Sequence, residues 1–188
     1  MRIAYTFILP VVLMAGLVGC VNEPSPRFSV DTVLSTMKVT PRSRTIAVDK
    51  VTLPSYAKET NLFMRNAAGA LVPVPQADWA DDPERALSLT LVRNLTEITG
   101  AKVALDPWPL DGEPEADLRV EVEEMIVNAN RVMTLSGQYA VRRGSSRTSD
   151  TVQPFSVKTN AASLKAQDIV AAHAQVWKQL AERIAKSL

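Results

Sequence analysis

The feature that most constrains this chain is the apolar stretch at its very start, because it decides which residues remain to form a folded domain. A short positive start is followed by an almost wholly apolar run from Ile3 to Leu17. Such a run, ending in small residues at a cleavage site, is typical of an export signal. The sequence Leu-Val-Gly-Cys at residues 17–20 matches the bacterial lipobox, in which the cysteine becomes the lipidated first residue of the mature chain. Residues 1–19 are therefore predicted to be a signal peptide, with lipidation at Cys20.

One alternative for this segment is a single transmembrane helix. Residues 1–18 just reach the lower limit of the ~17–25 residues that a spanning helix needs, and Pro10 lies among them. The only cysteine of the chain, by contrast, occupies the position that lipidation requires. The lipoprotein interpretation is therefore favoured.

Removal of the signal leaves a chain that must fold without covalent cross-links. Once Cys20 is acylated, no thiol remains for a disulfide, so the predicted domain at residues 27–188 depends on its hydrophobic core. Loss of Arg2 takes the formal net charge from +1 to zero, so the mature chain has no excess positive charge that would favour binding to nucleic acid. Residues 20–26 contain two prolines and are predicted to be a lipidated tether that reaches about 20 Å when extended.

Alternating apolar residues predict several strands. A strand over residues 45–53 changes the side of its apolar residues at Asp49-Lys50, which indicates a bulge or a strand that passes between two buried surfaces. The longest hairpin pairs residues 117–127 with residues 133–141 and is expected at the centre of the sheet. Shorter strands are predicted at residues 28–34, 61–65, 70–74, 102–105 and 151–158.

A helix is predicted over residues 83–99, because Asp82 suits an N-cap, proline suits the first helical position and Gly100 suits the C-terminal cap. Its core stripe consists of Leu87, Leu91, Leu95 and Ile98. Leu89 and Val92 lie off this stripe, since Leu89 is about 200° around the helix from Leu87. They indicate a second contact, either within the domain or with a partner.

A second amphipathic helix is predicted from Ser163 onward, with His173 and Trp177 on its apolar face. Together these elements predict a single α+β domain. We expect a mixed or antiparallel sheet of about six to eight strands, with the two amphipathic helices on one face.

Few residues suit catalysis. His173 is the only histidine, and its place on an apolar helix face favours a packed or interface side chain over a general base. Without a free cysteine, zinc sites built from cysteine and histidine are excluded, and no glycine-rich phosphate loop is present. The acidic run at residues 121–124 is interpreted as a solvated face. We therefore predict no enzyme activity, no cofactor and no metal. Trp79, beside a loop and prolines, is expected to be half-exposed, as a local lid or a binding anchor.

Four features stand in an order that is typical of one family. They are the lipobox ending at Cys20, Ile46-Ala47-Val48 leading to Leu53-Pro54-Ser55-Tyr56, Leu62-Phe63-Met64-Arg65, and Trp79-Ala80-Asp81 ahead of the leucine-rich helix. In these features the chain resembles the ABC-type transport auxiliary lipoproteins, the family of paraquat-inducible protein C. It departs from the usual pattern after Tyr56, where Ala57-Lys58-Glu59 follow, and after Trp79-Ala80, where Asp81-Asp82-Pro83 follow.

The resemblance implies a non-catalytic component of an MCE-protein lipid transport system that is driven by an ABC permease and ATPase. It implies attachment to the periplasmic face of the outer membrane through the N-terminal lipid, and binding to the periplasmic MCE protein. Tyr56, Trp79, Leu89 and Val92 are the predicted partner contacts, and homo-oligomerisation through Leu89 and Val92 is a further hypothesis.

Two other classes of function stay open at this point. A lipoprotein adaptor for envelope assembly, acting on a cell-wall synthase or on outer-membrane machinery, would carry the same signal and the same lack of catalytic residues. A periplasmic enzyme would need a cleft with convergent polar groups. A lipid carrier, a variant of the transport interpretation, would need an apolar pocket of its own.

Overall fold

The computed structural model of this chain describes residues 25–144 and 150–188. The predicted signal peptide, Cys20 and the tether up to residue 24 lie outside the described residues. The described part is an α+β domain with an eight-stranded mixed sheet, as predicted from the sequence. Within this part of the chain, no helix has the length and the apolar composition that crossing a membrane requires.

The elements follow one another along the chain, and the longest connections are residues 29–44 and 106–115. The strands are β1 (Arg27–Phe28), β2 (Thr45–Val48), β3 (Asn61–Arg65), β4 (Leu71–Trp79), β5 (Lys102–Leu105), β6 (Ala116–Asn128), β7 (Val132–Arg143) and β8 (Thr151–Asn160). The helices are α1 (Ser55–Lys58), α2 (Pro83–Thr99) and α3 (Ala166–Ala185). The short helix α1 has no counterpart in the sequence-based prediction.

Strand β6 is the centre of the sheet. On one side it pairs with β7 in antiparallel fashion along almost its whole length, and β8 pairs with β7 beyond it. On its other side β6 pairs in parallel with β2 near its start and with β3 at its end. Between these two strands, Thr52 donates its N–H to the Val120 carbonyl at 3.1 Å and accepts from the Val122 N–H at 2.9 Å.

The predicted strand at residues 45–53 is thus shorter than expected. Regular pairing ends at Val48, although the Asp49 N–H still donates to the Leu118 carbonyl at 2.9 Å. The chain then leaves β6 at Lys50 and returns to it at Thr52. Val51 and Leu53 are buried, so the change in apolar pattern marks a real interruption between two buried stretches.

A bulge in β6 explains the second change of apolar pattern. The pairing with β7 shifts between Val122 and Glu124. Gly137 of β7 lies opposite Val122, and a Cβ atom placed on Gly137 would lie 2.1 Å from the backbone oxygen of Glu121. Only glycine therefore allows the two backbones to approach this closely at the bulge.

The two long helices pack against each other and cover the sheet. Helix α2 has the predicted caps: the Asp82 carboxylate accepts from the Arg85 N–H at 2.8 Å, and Gly100 is left-handed at φ 67°. Its predicted stripe is buried, at Leu87, Leu91, Leu95 and Ile98. Helix α3 begins at Ala166 rather than at Ser163, whose hydroxyl instead accepts from the Lys165 N–H.

The chain between β1 and β2 runs across the helices. The strand predicted at residues 28–34 is reduced to a two-residue pairing of β1 with β4. Residues 29–42, called the N-terminal segment below, then form hydrogen bonds with residues of α2 and α3. The Val39 N–H donates to the Ile98 carbonyl at 2.9 Å, and the Ser35 hydroxyl donates to the Glu182 carboxylate at 2.6 Å. These bonds take the place of strand pairing, because the segment lies over the helix layer.

Candidate functional site

A surface groove of about 300 Å³ lies between the start of the N-terminal segment and helix α2. Phe28 and Val30 form its wall on the segment side, and Leu87 and Leu89 contribute from the helix. Trp79, at the end of β4, also lines it. Two of the four predicted partner contacts, Trp79 and Leu89, are thus brought together in one concave site.

Trp79 is held from several directions. It pairs with Phe28 across the parallel β1–β4 contact, and its backbone N–H donates to the Thr60 carbonyl at 2.7 Å. Its ring meets the His173 ring edge to face, with centroids 5.3 Å apart and planes at 80°. Trp79 is only 7% exposed, so the expectation of a half-exposed side chain is wrong. The sheet edge on one side and α3 on the other bury the indole and make it a fixed wall of the groove.

His173 lies behind Trp79 in the interior, as the packed-histidine prediction expected. It is 2% exposed, and neither ring nitrogen has a hydrogen-bond partner among the described residues. Burial lowers the pKa of His173 to about 3, because the imidazolium form would lose its hydration without gaining a partner. The ring is therefore neutral at physiological pH and serves the packing of α3 against Trp79.

The helix side of the groove combines an apolar residue with two cations. Arg85, Leu89 and Arg93 are spaced four residues apart and so share one face of α2. Arg85 forms an ion pair with Asp81. Arg93 donates to the Thr32 hydroxyl at 3.4 Å, and within residues 25–144 and 150–188 no carboxylate lies within ion-pair distance of its guanidinium. The groove therefore has one cation whose charge is uncompensated by a direct contact.

The start of α2 is tied to the chain that follows β2. The Ser88 hydroxyl accepts from the Val51 N–H at 2.9 Å and donates to the Glu84 carbonyl at 2.5 Å. The Glu84 carboxylate accepts from the Leu53 N–H at 3.1 Å and pairs with Lys58 at 2.8 Å. These bonds hold residues 51–58 against the helix.

The charge on Glu84 is stabilised despite its partial burial. Desolvation alone would raise the pKa of this carboxyl. Hydrogen bonds from Lys58 and from the Leu53 N–H, with a further contribution from Lys50, outweigh desolvation and hold the pKa below its usual range. Glu84 is therefore an anion that anchors the residues around α1.

The other two predicted contacts lie away from the groove. The Tyr56 hydroxyl accepts from the Met125 N–H at 3.0 Å, just after the bulge of β6, and burial raises its pKa. Tyr56 thereby ties α1 to the central strand, next to Trp79 and His173. Val92 is partly buried and packs against the core. For Val92 the contact within the domain accounts for its place off the main stripe.

Sequence reasoning missed the residues that complete the groove. Phe28 and Val30 reach it only because β1 pairs with β4 and directs the following chain over α2. Arg85 and Arg93 carried a usable signal, since both lie one helical turn from Leu89. That spacing would have marked a face with two cations around the apolar residue.

Comparison with solved structures shows where this fold occurs. The crystal structure of an uncharacterized protein superposes with a TM-score of 0.67 at 19% identity, covering 83% of this chain and 98% of that one. A Xanthomonas campestris protein of the family DUF330 superposes with a TM-score of 0.67 at 16% identity, covering 82% of this chain and 90% of that one. At these identities the likeness supports the fold alone.

A search of curated protein sequences finds no significant match. A family model does match the chain. It covers residues 28–185, which include both long helices, every strand from β2 to β8 and the residues of the groove. The chain therefore belongs to the family of ABC-type transport auxiliary lipoprotein components.

Proposed function

We propose that this chain is a non-catalytic outer-membrane lipoprotein that binds the periplasmic MCE protein of an ABC-type lipid transport system. The observation that carries the proposal is the family match over residues 28–185, which extends over nearly all of the described domain. Membership gives an auxiliary role in ABC-type transport, and the lipobox at Cys20 supplies a membrane anchor. The proposal adds three points to this role: the partner is an MCE protein, the transported substrate is a lipid, and the anchoring membrane is the outer membrane.

The groove side of α2 is the proposed contact surface. Leu89 is half-buried at its rim, and Trp79 lines it as a rigid wall. Tyr56 and Val92 support this surface from within, through the bond to Met125 and through packing on the core. Tryptophan and arginine are the residue types that most often dominate binding energy at interfaces, and both line this groove.

Affinity purification of the full-length lipidated protein from detergent extract, followed by quantitative mass spectrometry, tests the proposal. We expect an MCE protein together with its permease and ATPase. Leu89→Asp should lower their recovery, because it places a carboxylate at the apolar rim of the groove. The matched control is Val152→Asp, which changes an apolar residue that is 68% exposed on β8.

Recovery of cell-wall synthases or outer-membrane assembly proteins in place of transport components would overturn the proposal and favour the adaptor function.

Separation of inner and outer membranes tests the location. Cys20→Ala should remove the protein from the outer-membrane fraction, because the remaining chain would lack its lipid. Sedimentation of the lipidated protein in detergent tests homo-oligomerisation through Leu89 and Val92.

A further inference from the structure

We infer that the groove between residues 28–30 and α2 binds an acyl chain of an anionic membrane lipid. The inference rests on the proposed function and deepens it, because it assigns a ligand to the surface where the transport partner would dock. Three features of the groove support it: the apolar side chains in its mixed lining, the uncompensated charge of Arg93 and its distance from the predicted lipid anchor.

The walls suit an amphipathic ligand, because apolar groups are interspersed with polar and charged ones at Ser29, Asp81, Arg85, Thr90 and Arg93. Phe28, Val30, Trp79 and Leu89 present apolar groups from two separate parts of the chain. The volume of about 300 Å³ lies at the small end of the ~300–1,000 Å³ typical of ligand sites. A flexible hydrocarbon chain gains free energy for each methylene that it buries in such a groove.

The charges specify an anionic headgroup. Asp81 already neutralises Arg85 at one end of the groove, whereas Arg93 has only a long bond to the Thr32 hydroxyl. Arg93 lies one helical turn beyond Leu89, or about 6 Å along the axis. A guanidinium at that distance can bind a phosphate oxygen while the acyl chain contacts Leu89.

The anchor places this groove near a bilayer. Phe28 is eight residues after Cys20 in the sequence. Fully extended, these residues span about 26–29 Å, so the groove stays within that reach of the lipidated cysteine. The β1–β4 pairing attaches the end of the tether directly beside the groove. Membrane lipids are therefore the most concentrated apolar ligands that the groove meets.

Photocrosslinking of the full-length lipidated protein tests the inference. The protein is reconstituted in phosphatidylethanolamine vesicles that contain phosphatidylglycerol with a photoreactive diazirine in one acyl chain, and adducts are mapped by mass spectrometry. We expect adducts at Phe28–Val30 and around Leu89. A diazirine phosphatidylethanolamine probe at the same mole fraction should label these residues less.

Arg93→Glu should lower groove labelling by phosphatidylglycerol about fivefold or more, given the usual contribution of one arginine to anionic lipid binding. Lys102→Glu is the matched control, because it reverses an exposed cation on β5, away from the groove. Leu89→Trp, which fills the groove with an apolar side chain, should also lower labelling. Thermal unfolding of each variant establishes that it is folded.

Labelling confined to the tether and to exposed surface residues would overturn the inference, as would equal labelling of the wild type and Arg93→Glu. Partner recovery is measured separately. A protein that recovers the MCE complex but shows no groove adducts would contradict the lipid site and leave the proposed function standing. Groove adducts without the MCE complex would contradict the proposed function alone.

Discussion

Helices α2 and α3 lie side by side, yet they are built for different tasks. Helix α3 buries eleven of its residues, including Trp177, Leu180 and His173, between the sheet and α2. Helix α2 buries its leucine stripe on one side, while a second side faces the N-terminal segment and the groove. The difference shows that one helix in this layer serves the core, whereas the other also presents an accessible surface.

The polar groups follow the same division. The His173 imidazole, which has no hydrogen-bond partner within the described part of the chain, is tolerated in α3 because it stays neutral. In α2, by contrast, hydrogen bonds keep the pKa of Glu84 low, and Arg93 lies exposed beside the groove. Substitutions in α3 should therefore affect stability, and substitutions on the open side of α2 should affect binding.

The largest expected effect is a loss of stability in acid that depends on His173. Its pKa is about 3 in the folded chain and 6.5 in the unfolded chain, so only the unfolded chain takes up a proton between these values. The contribution of the neutral His173 to the free energy of unfolding is fully present above pH 6.5. It is lost as the pH falls, which lowers the free energy of unfolding by about 4 kcal/mol at pH 3.

Urea unfolding at several pH values measures this effect, with His173→Gln as the control that cannot gain a charge. The difference in unfolding free energy between the two proteins should change across pH 3 to 6.5 and stay constant above it. Parallel pH profiles of the two proteins would show that other groups cause the acid sensitivity.

The second prediction compares the same substitution on the two helices. Leu180→Ala in α3 should lower the free energy of unfolding by about 3 kcal/mol, because Leu180 is fully buried and leaves a cavity. Leu89→Ala should cost less, about 1 kcal/mol, since that side chain is only partly buried at the groove and its removal leaves no closed cavity. Equal losses of unfolding free energy in the two variants, measured by thermal or urea unfolding, would contradict the distinction between the helices.

A smaller effect is expected at the start of α2. Ser88→Ala should destabilise the protein by about 1–2 kcal/mol, because the Val51 N–H loses its buried acceptor. Thr96→Ala, at an exposed position of the same helix, is the matched control and should be nearly neutral. Hydrogen exchange at Val51 should rise in the Ser88 variant, and unchanged protection there would contradict the assigned role.

The smallest effect concerns the ion pair of Lys58 and Glu84. Lys58→Met should lower stability by only about 0.5 kcal/mol, because the lysine is largely exposed to water. It should also raise the pKa of Glu84 toward its ordinary value, since the hydrogen bond from Lys58 helps to hold that pKa down. An NMR titration of the Glu84 carboxyl measures this shift, and an unchanged pKa would show that the Leu53 N–H and Lys50, not Lys58, hold the pKa down.

Several parts of this protein could be predicted because their signals are local. The Asp82-Pro83 start and the Gly100 end of α2 were found from residues within one turn of each boundary. The long β6–β7 hairpin followed from alternation that is interrupted only at the bulge. For the candidate site, the structure places Trp79 and Leu89 in one groove, their role as partner contacts stays a prediction, and the burial of Trp79 was not foreseen.

The sequence by itself determined the predicted anchor at Cys20, the caps of α2 and the alternation of the sheet, because each depends on residues that are close together in the chain. Only the tertiary structure decided the path of the N-terminal segment and the groove that it forms with α2. Phe28 and Leu89 lie 61 positions apart, and no local pattern specifies that they meet. Their place in one groove follows from the pairing of β1 with β4, which directs the chain after Phe28 over α2 and buries apolar side chains there.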